Sequence, residues 1–344
     1  MQVFVTGLLK QARMHNLSAE LILVEWNPPS HKLSLSQALS WPTEETPCRV
    51  RVIEVPYELH RRFRHSDKLP LFQMIAKNVG IRRAYGQFIL ATNVDILFSD
   101  ELIRFLASGR LRPRILYRID RYDVPSDVPA RATIEDQLDY CMRNIVCVNG
   151  RDCTFERDDL RWKQLGRFYC GVKLLKKCQL LFSSASSQEG FAANARTIHT
   201  LLANGADYIR DLISPSFPKL HGNACGDFTL MAREHWYTLR GYPELEMFSY
   251  NLDFVLCHMA YHIGVQEKIL QDPMRIYHIG HSSGWTPKGD AQMKERLRII
   301  GVPMVDTPQF KSLAMQMQRE KRPIILNSEG WGLASEHLLE TTIN

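Results

Sequence analysis

The order of apolar and polar residues predicts alternating helices and strands from the start of the chain. Apolar residues recur at near-helical spacing from Val3 to Ala12, so we expect the chain to begin in a helix. Ala19 to Glu25 is a continuous apolar run, which is typical of a strand covered on both faces in a parallel sheet. The prolines within Trp26 to Ser30 then end that strand, because proline cannot donate to a ladder. The alternating segment Arg49 to Val55 is predicted to be the next strand.

The alternation continues to about residue 120. Leu71 to Tyr85 carries helical spacing, and Gly86 is expected to end that helix. Phe88 to Thr92 follows as a short buried strand, Ser99 can cap another helix, and Ile115 to Ile119 predicts one more strand. We therefore expect an α/β fold with an open, mostly parallel central sheet, built from βαβ units and flanked by helices.

The rest of the chain divides into three segments. Residues 121–220 are polar and interrupted, with predicted helices at Thr133 to Asn144 and Ala193 to Ala203, so we interpret them as an insertion over the working edge of the sheet. Residues 221–290 return to a regular pattern and are expected to complete the domain formed by residues 1–120. Residues 291–344 form a mixed, partly helical tail.

Composition narrows the class of protein. The net charge is +6 without a long basic run, which favours anionic ligands over a nucleic-acid partner. The eight cysteines form no C-x-x-C pair, so we expect reduced thiols rather than a zinc site or a disulfide framework. No apolar stretch approaches the ~20 residues that span a bilayer, and no signal peptide is recognisable. These features predict a cytoplasmic protein without a transmembrane segment.

Asp95 is the strongest candidate in the sequence for a residue that binds a metal ion. It follows the apolar strand Phe88 to Thr92 within an Asn-x-Asp sequence, and ligands of open α/β sheets bind outside the carboxyl ends of the strands. A carboxylate there can hold Mg²⁺ or Mn²⁺, which prefer oxygen ligands. The alternative is that Asp95 only turns the chain toward Ser99.

The stretch from Ala76 to Asp95 resembles the GT-A glycosyltransferases of the family-2 type. Five of its residues fall in register with the family pattern, namely Asn78, Gly80, Ala84, Gly86 and Asp95. Asn93 stands where the family has the first aspartate of D-x-D. The resemblance implies a GT-A, Rossmann-like fold and transfer of a sugar from a nucleotide-sugar donor, such as a UDP-sugar, to a glycan or another hydroxyl acceptor. It also implies a Mn²⁺ or Mg²⁺ cofactor at Asp95, with Asn78, Arg82 and Asn93 as further donor-site candidates.

The segment Ala19 to Asn27 resembles the second strand of that family, whose acidic end helps to hold the nucleoside. Glu25 takes that position, and Asn27 is its neighbour. The sequence Val-Glu-Trp-Asn is also similar to the V-x-W-N of exostosin-like glycosyltransferases. Trp26 can equally be a core residue.

Two downstream segments extend the resemblance. Residues 223–244 resemble the acceptor side of galactosyltransferase-like members, and Asp253 then matches an acidic residue of theirs by position. An inverting reaction needs a base on the acceptor hydroxyl, for which Asp253 and Asp227 compete; Asp253 can also be only a helix-terminal charge. In the late segment, His278 and His281 are candidate metal ligands, or polar core residues. The insertion is then interpreted as an acceptor lid.

The resemblance covers roughly residues 1–110 and 222–285, and it lacks the first strand of the family, which precedes the helix at Val3. Two alternatives therefore stay open. One is a catalytically impaired nucleotide-sugar-binding or scaffold protein. The other is a nucleotidyltransferase, although those enzymes carry an early glycine-rich loop that this sequence lacks.

Overall fold

The computed structural model describes residues 1–158, 160, 218–281 and 287–343. Ten α-helices lie in these residues. In chain order they are α1 (Gln2–Met14), α2 (Leu35–Ala38), α3 (Tyr57–His60), α4 (Gln73–Arg83), α5 (Asp100–Ala107), α6 (Ile134–Arg143), α7 (Arg233–Leu239), α8 (Leu252–His262), α9 (Pro287–Ile299) and α10 (Thr307–Glu320).

The same residues contain twelve strands. They are β1 (Ala19–Trp26), β2 (Cys48–Val55), β3 (Phe88–Thr92), β4 (Ile96–Phe98), β5 (Ile115–Ile119), β6 (Arg121–Val124), β7 (Cys147–Asn149), β8 (Thr154–Glu156), β9 (Phe228–Ala232), β10 (Gln266–Leu270), β11 (Ile276–Ile279) and β12 (Leu339–Ile343). Helices and strands therefore form near every position that the apolar pattern predicted between residues 1 and 120. One boundary differs: α4 ends at Arg83 with Ala84 in an extended conformation, before Gly86.

The strands form three sheets. Sheet A has the order β1-β2-β12, sheet B the order β10-β5-β9-β3, and sheet C the order β4-β11-β6-β7-β8. Strands of sheet B continue after short breaks into strands of sheet C, as β3 does into β4 and β5 into β6. The polar residues in these breaks lie at the junction of sheets B and C, where the candidate site is found.

The α/β class is confirmed, but the expectation of a mostly parallel sheet is wrong for the described residues. The ladders β1–β2, β5–β10 and β6–β11 are parallel. The other six are antiparallel. The physical reason is that strands distant in sequence return against the βαβ units: β9 inserts between β3 and β5, and β12 pairs along β2.

Two large apolar clusters hold these layers together. One lies between α4, β3, β9 and the helices α7, α8 and α10, with Trp236 and Tyr242 fully buried at its centre. The other lies under α1 and α5 against β1, β2 and β5, and it buries Phe4, Phe98 and Tyr117. The sheets are thus covered by helices on both sides, which fixes the junction of sheets B and C between two rigid layers.

β1 and β3 are terminal strands of their sheets, and they form no ladder with one another. Consecutive residues of both strands line one cavity of about 1300 Å³, which reaches Asp95, Asp227 and His278. The sequence predicted one continuous sheet, whereas in the structure β1 and β3 belong to two different sheets with the cavity between them.

Two predictions from composition have different outcomes. No helix in the described part of the chain is long and apolar enough to cross a membrane. The expectation of reduced thiols is wrong for Cys153, which is disulfide-bonded. The other cysteines of the described residues are free thiols, namely Cys48, Cys141, Cys147, Cys225 and Cys257.

Candidate metal centre

Backbone pairing brings Asp95 and His278 together. Asp95 lies in the break between β3 and β4, immediately before Ile96. β11 pairs antiparallel with β4 so that His278 is opposite Ile96, and the amide of Ile279 donates to the carbonyl of Asp95 at 2.9 Å. The ladder between two short strands therefore sets the distance between the two side chains.

Three side chains converge at this point. Asp95 Oδ2 lies 3.5 Å from His278 Nε2 and 3.4 Å from His281 Nε2. One ligand atom from each residue lies within 4.8 Å of the other two. The side chains of Asp95 and His281 are 29% and 43% exposed, whereas that of His278 is only 8% exposed. The cluster is therefore anchored in the protein and open on one side.

The Asp95 carboxylate has unused bonding capacity. Its Oδ1 atom is buried and accepts no hydrogen bond from any donor in the described ranges. A buried carboxylate oxygen without a donor costs free energy that a cation would offset. One carboxylate oxygen and two imidazole nitrogens suit Mn²⁺ and other divalent transition metals, so the residues present fit such an ion.

Asp123 orients the buried histidine from behind. Its Oδ1 lies 3.1 Å from His278 Nδ1, and its carboxylate also receives hydrogen bonds from Arg121, Cys147 and Asn149. When Nδ1 carries the proton and donates it to Asp123, Nε2 is left free toward Asp95, which is the arrangement that metal-ligating histidines usually have.

In the absence of an ion, His278 interacts electrostatically with the carboxylates of Asp95 and Asp123. Burial lowers the pKa of His278, but the hydrogen bonds that its ring donates to Asp123 and Asp95 outweigh burial and raise the pKa to about 9. Burial raises the pKa of Asp123, yet His278 and Arg121 bring it down to about 2. For Asp95, burial is likewise outweighed by the hydrogen bond and charge of His278, so its pKa lies below the ordinary value. His278 is consequently an imidazolium between two carboxylates, with its positive charge where a cation would lie.

A second set of polar side chains lines the cavity beside the metal centre. Arg121 Nη1 donates to Asp227 Oδ2 at 2.7 Å, and the amide of Asn93 donates to the other oxygen of Asp227. Gln73 donates to Asn93 Oδ1 at 3.2 Å. Burial lowers the pKa of Arg121, but Asp227 and Asp123 raise it above its ordinary value. Asn93 therefore positions Asp227, which with Arg121 lines the cavity beside the centre.

Asp253 lies behind this layer. A Cβ atom added to Gly226 would be 2.9 Å from Asp253 Oδ2 and 3.8 Å from Lys77 Nζ, so the three residues are neighbours. Lys77 lines the cavity and donates to the carbonyl of Gly226 at 2.5 Å, whereas Asp253 is not among the described residues of the cavity wall. Burial raises the pKa of Asp253 above its ordinary value. Of the two predicted base residues, only Asp227 is brought to the cavity.

Glu25 and Asn27 lie at the end of β1. Both carboxylate oxygens of Glu25 accept from the amide of Leu35 at 3.0 Å, so Glu25 caps the start of α2 while also lining the cavity. Asn27 has a left-handed backbone conformation and pairs through its amide with Val55. Trp26 also lines the cavity and donates to His60 Nδ1 at 3.0 Å.

Asn78 and Arg82 of α4 lie away from the centre. Asn78 is fully buried, and its amide exchanges hydrogen bonds with the backbone of Tyr242 and donates to Glu244. The guanidinium of Arg82 lies 4.9 Å above the Trp331 ring. These contacts join α4 to the turn after α7 and to the tail, and neither side chain is among the described cavity-lining residues.

Several predicted features lie outside the described residues. They are the helix at Ala193 to Ala203, most of the insertion interpreted as an acceptor lid, and Gly284 and Trp285 after the histidines.

Arg121 and Asp123 are site residues that the sequence argument missed. They alternate with apolar residues in Arg121–Val124, and this period of two places both on one face of a strand. That signal was present, but only the pairing of β6 with β11 shows that Asp123 lies opposite His278.

No protein-family model matches this chain, and no curated protein matches its sequence significantly.

Proposed function

We propose that the protein is a metal-dependent glycosyltransferase that takes a sugar from a nucleoside-diphosphate donor and transfers it to a hydroxyl acceptor. The observation that carries the proposal is the convergence of Asp95, His278 and His281 at the mouth of a large cavity beside β3. A three-ligand centre with one open side can accept further oxygen ligands from a bound molecule. The GT-A architecture belongs to the same proposal.

Asp95, His278 and His281 would hold the ion, which is Mn²⁺ or Mg²⁺, with the two imidazoles favouring Mn²⁺. Once bound, the ion supplies positive charge that stabilises a departing diphosphate. Asp123 keeps the imidazole of His278 turned toward that position. Arg121 is the nearest fixed guanidinium in this network, and its ion pair with Asp227 holds that carboxylate at the cavity wall.

The base that accepts the proton of the acceptor hydroxyl is proposed to be Asp227 rather than Asp253. Asp227 lines the cavity, and Asn93 and Arg121 fix both of its oxygens. Burial raises the pKa of Asp253 above its ordinary value, but Asp253 is not among the described residues of the cavity wall. We choose Asp227 because of its position in the cavity wall, since a base must reach the proton that it removes.

The deciding experiment is a panel of nucleotide sugars incubated with the protein and Mn²⁺, with release of nucleoside diphosphate as the readout. Asp95→Asn should lower turnover of the active donor by roughly a hundredfold or more, because it removes the anionic ligand. The variant should still fold cooperatively, because Asp95 belongs to neither of the two large apolar clusters, although it loses its ion pairs with His278 and His281. Asp139→Asn is the matched control, because Asp139 forms an ion pair with Arg143 on the surface.

Asp227→Asn should abolish turnover, whereas Asp253→Asn should leave it within about tenfold of the native rate. If turnover is instead abolished in Asp253→Asn and retained in Asp227→Asn, Asp253 is the base. If the protein binds Mn²⁺ and nucleoside diphosphate tightly but turns over no donor, the proposal of catalysis is wrong and the protein is a nucleotide-binding protein.

A further inference from the structure

The cavity contains a slot bounded by two unpaired strand edges. Among the described strands, β1 is hydrogen-bonded to β2 alone and β3 to β9 alone. Residues 18–26 and 86–92 line the cavity without interruption, so the two free edges open into the same space. We call this space the β1–β3 slot.

The alternation of backbone groups shows which amides point into the slot. In β1 the amides of Ala19 and Asn27 donate toward β2, to Pro47 and Val55. Successive residues of a strand direct their backbone groups to opposite sides, so those of Glu20, Ile22 and Val24 are directed away from β2, into the slot.

The same reasoning applies to β3. The amide of Arg233 donates to the carbonyl of Gln87 and continues the antiparallel ladder with β9, so the odd-numbered residues of β3 face β9. Phe88 and Leu90 consequently face the slot. Within the described ranges, the backbone groups of Ile22, Val24, Phe88 and Leu90 have no backbone partner outside their own strands. Two rows of donors and acceptors are thus left without partners between covered layers, which is costly for backbone groups.

The walls above and below the slot are apolar. Phe4 and Leu8 of α1 line it on one side, and Ala76 and Gly80 of α4 line it on the other. Gly80 lies close to β1, since a Cβ atom there would be 3.4 Å from Val24 and 3.6 Å from Ile22. The slot therefore offers polar edges and apolar faces, as a missing buried strand would require.

We propose that the β1–β3 slot binds an extended apolar peptide segment, which adds as a strand between β1 and β3 and joins sheets A and B. Only an extended backbone presents donors and acceptors on both of its edges at the spacing of two strands. An apolar small molecule would cover the helical walls but leave both rows of backbone groups unpaired. The length of the edges, five residues in β3 and eight in β1, sets the segment at about five to eight residues.

The test presents such a strand at high effective concentration. Met1 itself lines the cavity, so a panel of six-residue strands can be fused ahead of it through a flexible linker. The panel consists of Val-Ile, Leu-Ala and Thr-Val repeats. A linker of about twelve Gly and Ser residues spans roughly 20 Å and lets the strand reach either edge. The readout is residue-resolved amide hydrogen exchange together with the melting temperature.

We expect at least one fusion to slow exchange of the Ile22, Val24 and Leu90 amides by roughly tenfold or more and to raise the melting temperature. The Leu21 and Leu23 amides serve as internal references, because they already lie in the β1–β2 ladder. The matched control replaces alternate residues of the same extension by proline, which removes the donors and keeps the strand apolar.

The proposal is overturned if no fusion protects the slot-facing amides, or if the proline-containing extension protects them equally. Neither result depends on Mn²⁺ or on turnover of a nucleotide sugar, so the outcome is independent of the proposed function.

Discussion

At the scale of single residues, Asp123 decides how well His278 can serve as a ligand. Replacing Asp123 by Asn removes the anionic acceptor of His278 Nδ1 and part of the support of Arg121. We expect Mn²⁺ affinity to fall about 10- to 100-fold, as for other orienting carboxylates behind metal-bound histidines. Calorimetric titration with Mn²⁺ measures this, and Asp139→Asn should titrate like the native protein. Unchanged affinity in Asp123→Asn would show that the carboxylate does not orient the ligand.

The charge state of His278 gives a second prediction at this scale. Its pKa is about 9 in the folded, metal-free protein and near 6.5 in an unfolded chain. The stabilisation is therefore fully present below pH 6.5 and is lost as the pH rises to 9 and beyond. Its size is about 3 kcal/mol, from the difference between a pKa of about 9 and one of 6.5. Denaturant unfolding at pH 6.5 and pH 9.5 should show that loss in the native protein and not in His278→Gln.

Metal binding should change in the opposite direction over the same pH range. A cation competes with the proton on His278, so Mn²⁺ affinity should rise from pH 6.5 to pH 9. For an unperturbed histidine this transition would lie near pH 6.5. The two carboxylates beside His278, of which Asp123 was not foreseen, move it upward. Affinity that is constant between pH 6.5 and pH 9 would exclude His278 as a ligand.

The sequence identified the residues of the centre unevenly for a physical reason. Asp95 follows the apolar strand Phe88 to Thr92, and the family resemblance pointed to His278 and His281 in the late segment. Asn78 fits the same family pattern, yet its amide is used inside the protein by Tyr242 and Glu244. Whether a polar side chain faces a cavity or a turn depends on contacts between distant segments, which local pattern does not contain.

At the scale of elements, Ser99 couples helix α5 to strand β11. Its hydroxyl accepts from the amide of Leu102 at 3.3 Å, which caps α5, and from the amide of Arg275 at 3.0 Å, just before β11. Ser99→Ala removes the buried oxygen that accepts from both amides and should cost about 2 kcal/mol. Thr133→Ala removes only the exposed cap of α6 and should cost about 1 kcal/mol or less. Equal losses in denaturant unfolding would mean that the contact with Arg275 contributes nothing.

The elements themselves were more predictable than their order. Helical and strand periods located α1, α4, β1, β2, β3 and β5, because these periods arise from burial of one or both faces. The cap at Ser99 indicated the start of α5. The antiparallel insertion of β9 between β3 and β5 pairs residues more than a hundred positions apart. No local period encodes such a return, and so the sheet was expected to be mostly parallel.

At the scale of the whole molecule, Asn78 links three segments that are distant in the sequence. Its side chain accepts from the amide of Tyr242 at 2.8 Å and donates to Glu244, and Glu244 in turn accepts from the amide of Gly332 in the tail at 2.7 Å. Asn327 adds a second connection by donating to the carbonyl of Tyr242. The tail is thereby fastened to α4 through one buried turn.

This arrangement separates two roles that the sequence could not distinguish for Asn78. If Asn78 is structural, Asn78→Ala leaves the buried amide of Tyr242 without its acceptor and should destabilise the protein by about 2–3 kcal/mol. Mn²⁺ affinity at Asp95 should stay unchanged, because no contact of Asn78 reaches the centre. Arg82→Ala is the companion variant: it removes the contact of a half-buried guanidinium with the buried ring of Trp331 and should cost about 1 kcal/mol. Denaturant unfolding measures the first effect and Mn²⁺ titration with nucleoside diphosphate the second. If Asn78→Ala is as stable as the native protein but binds the diphosphate more weakly, Asn78 belongs to the donor site.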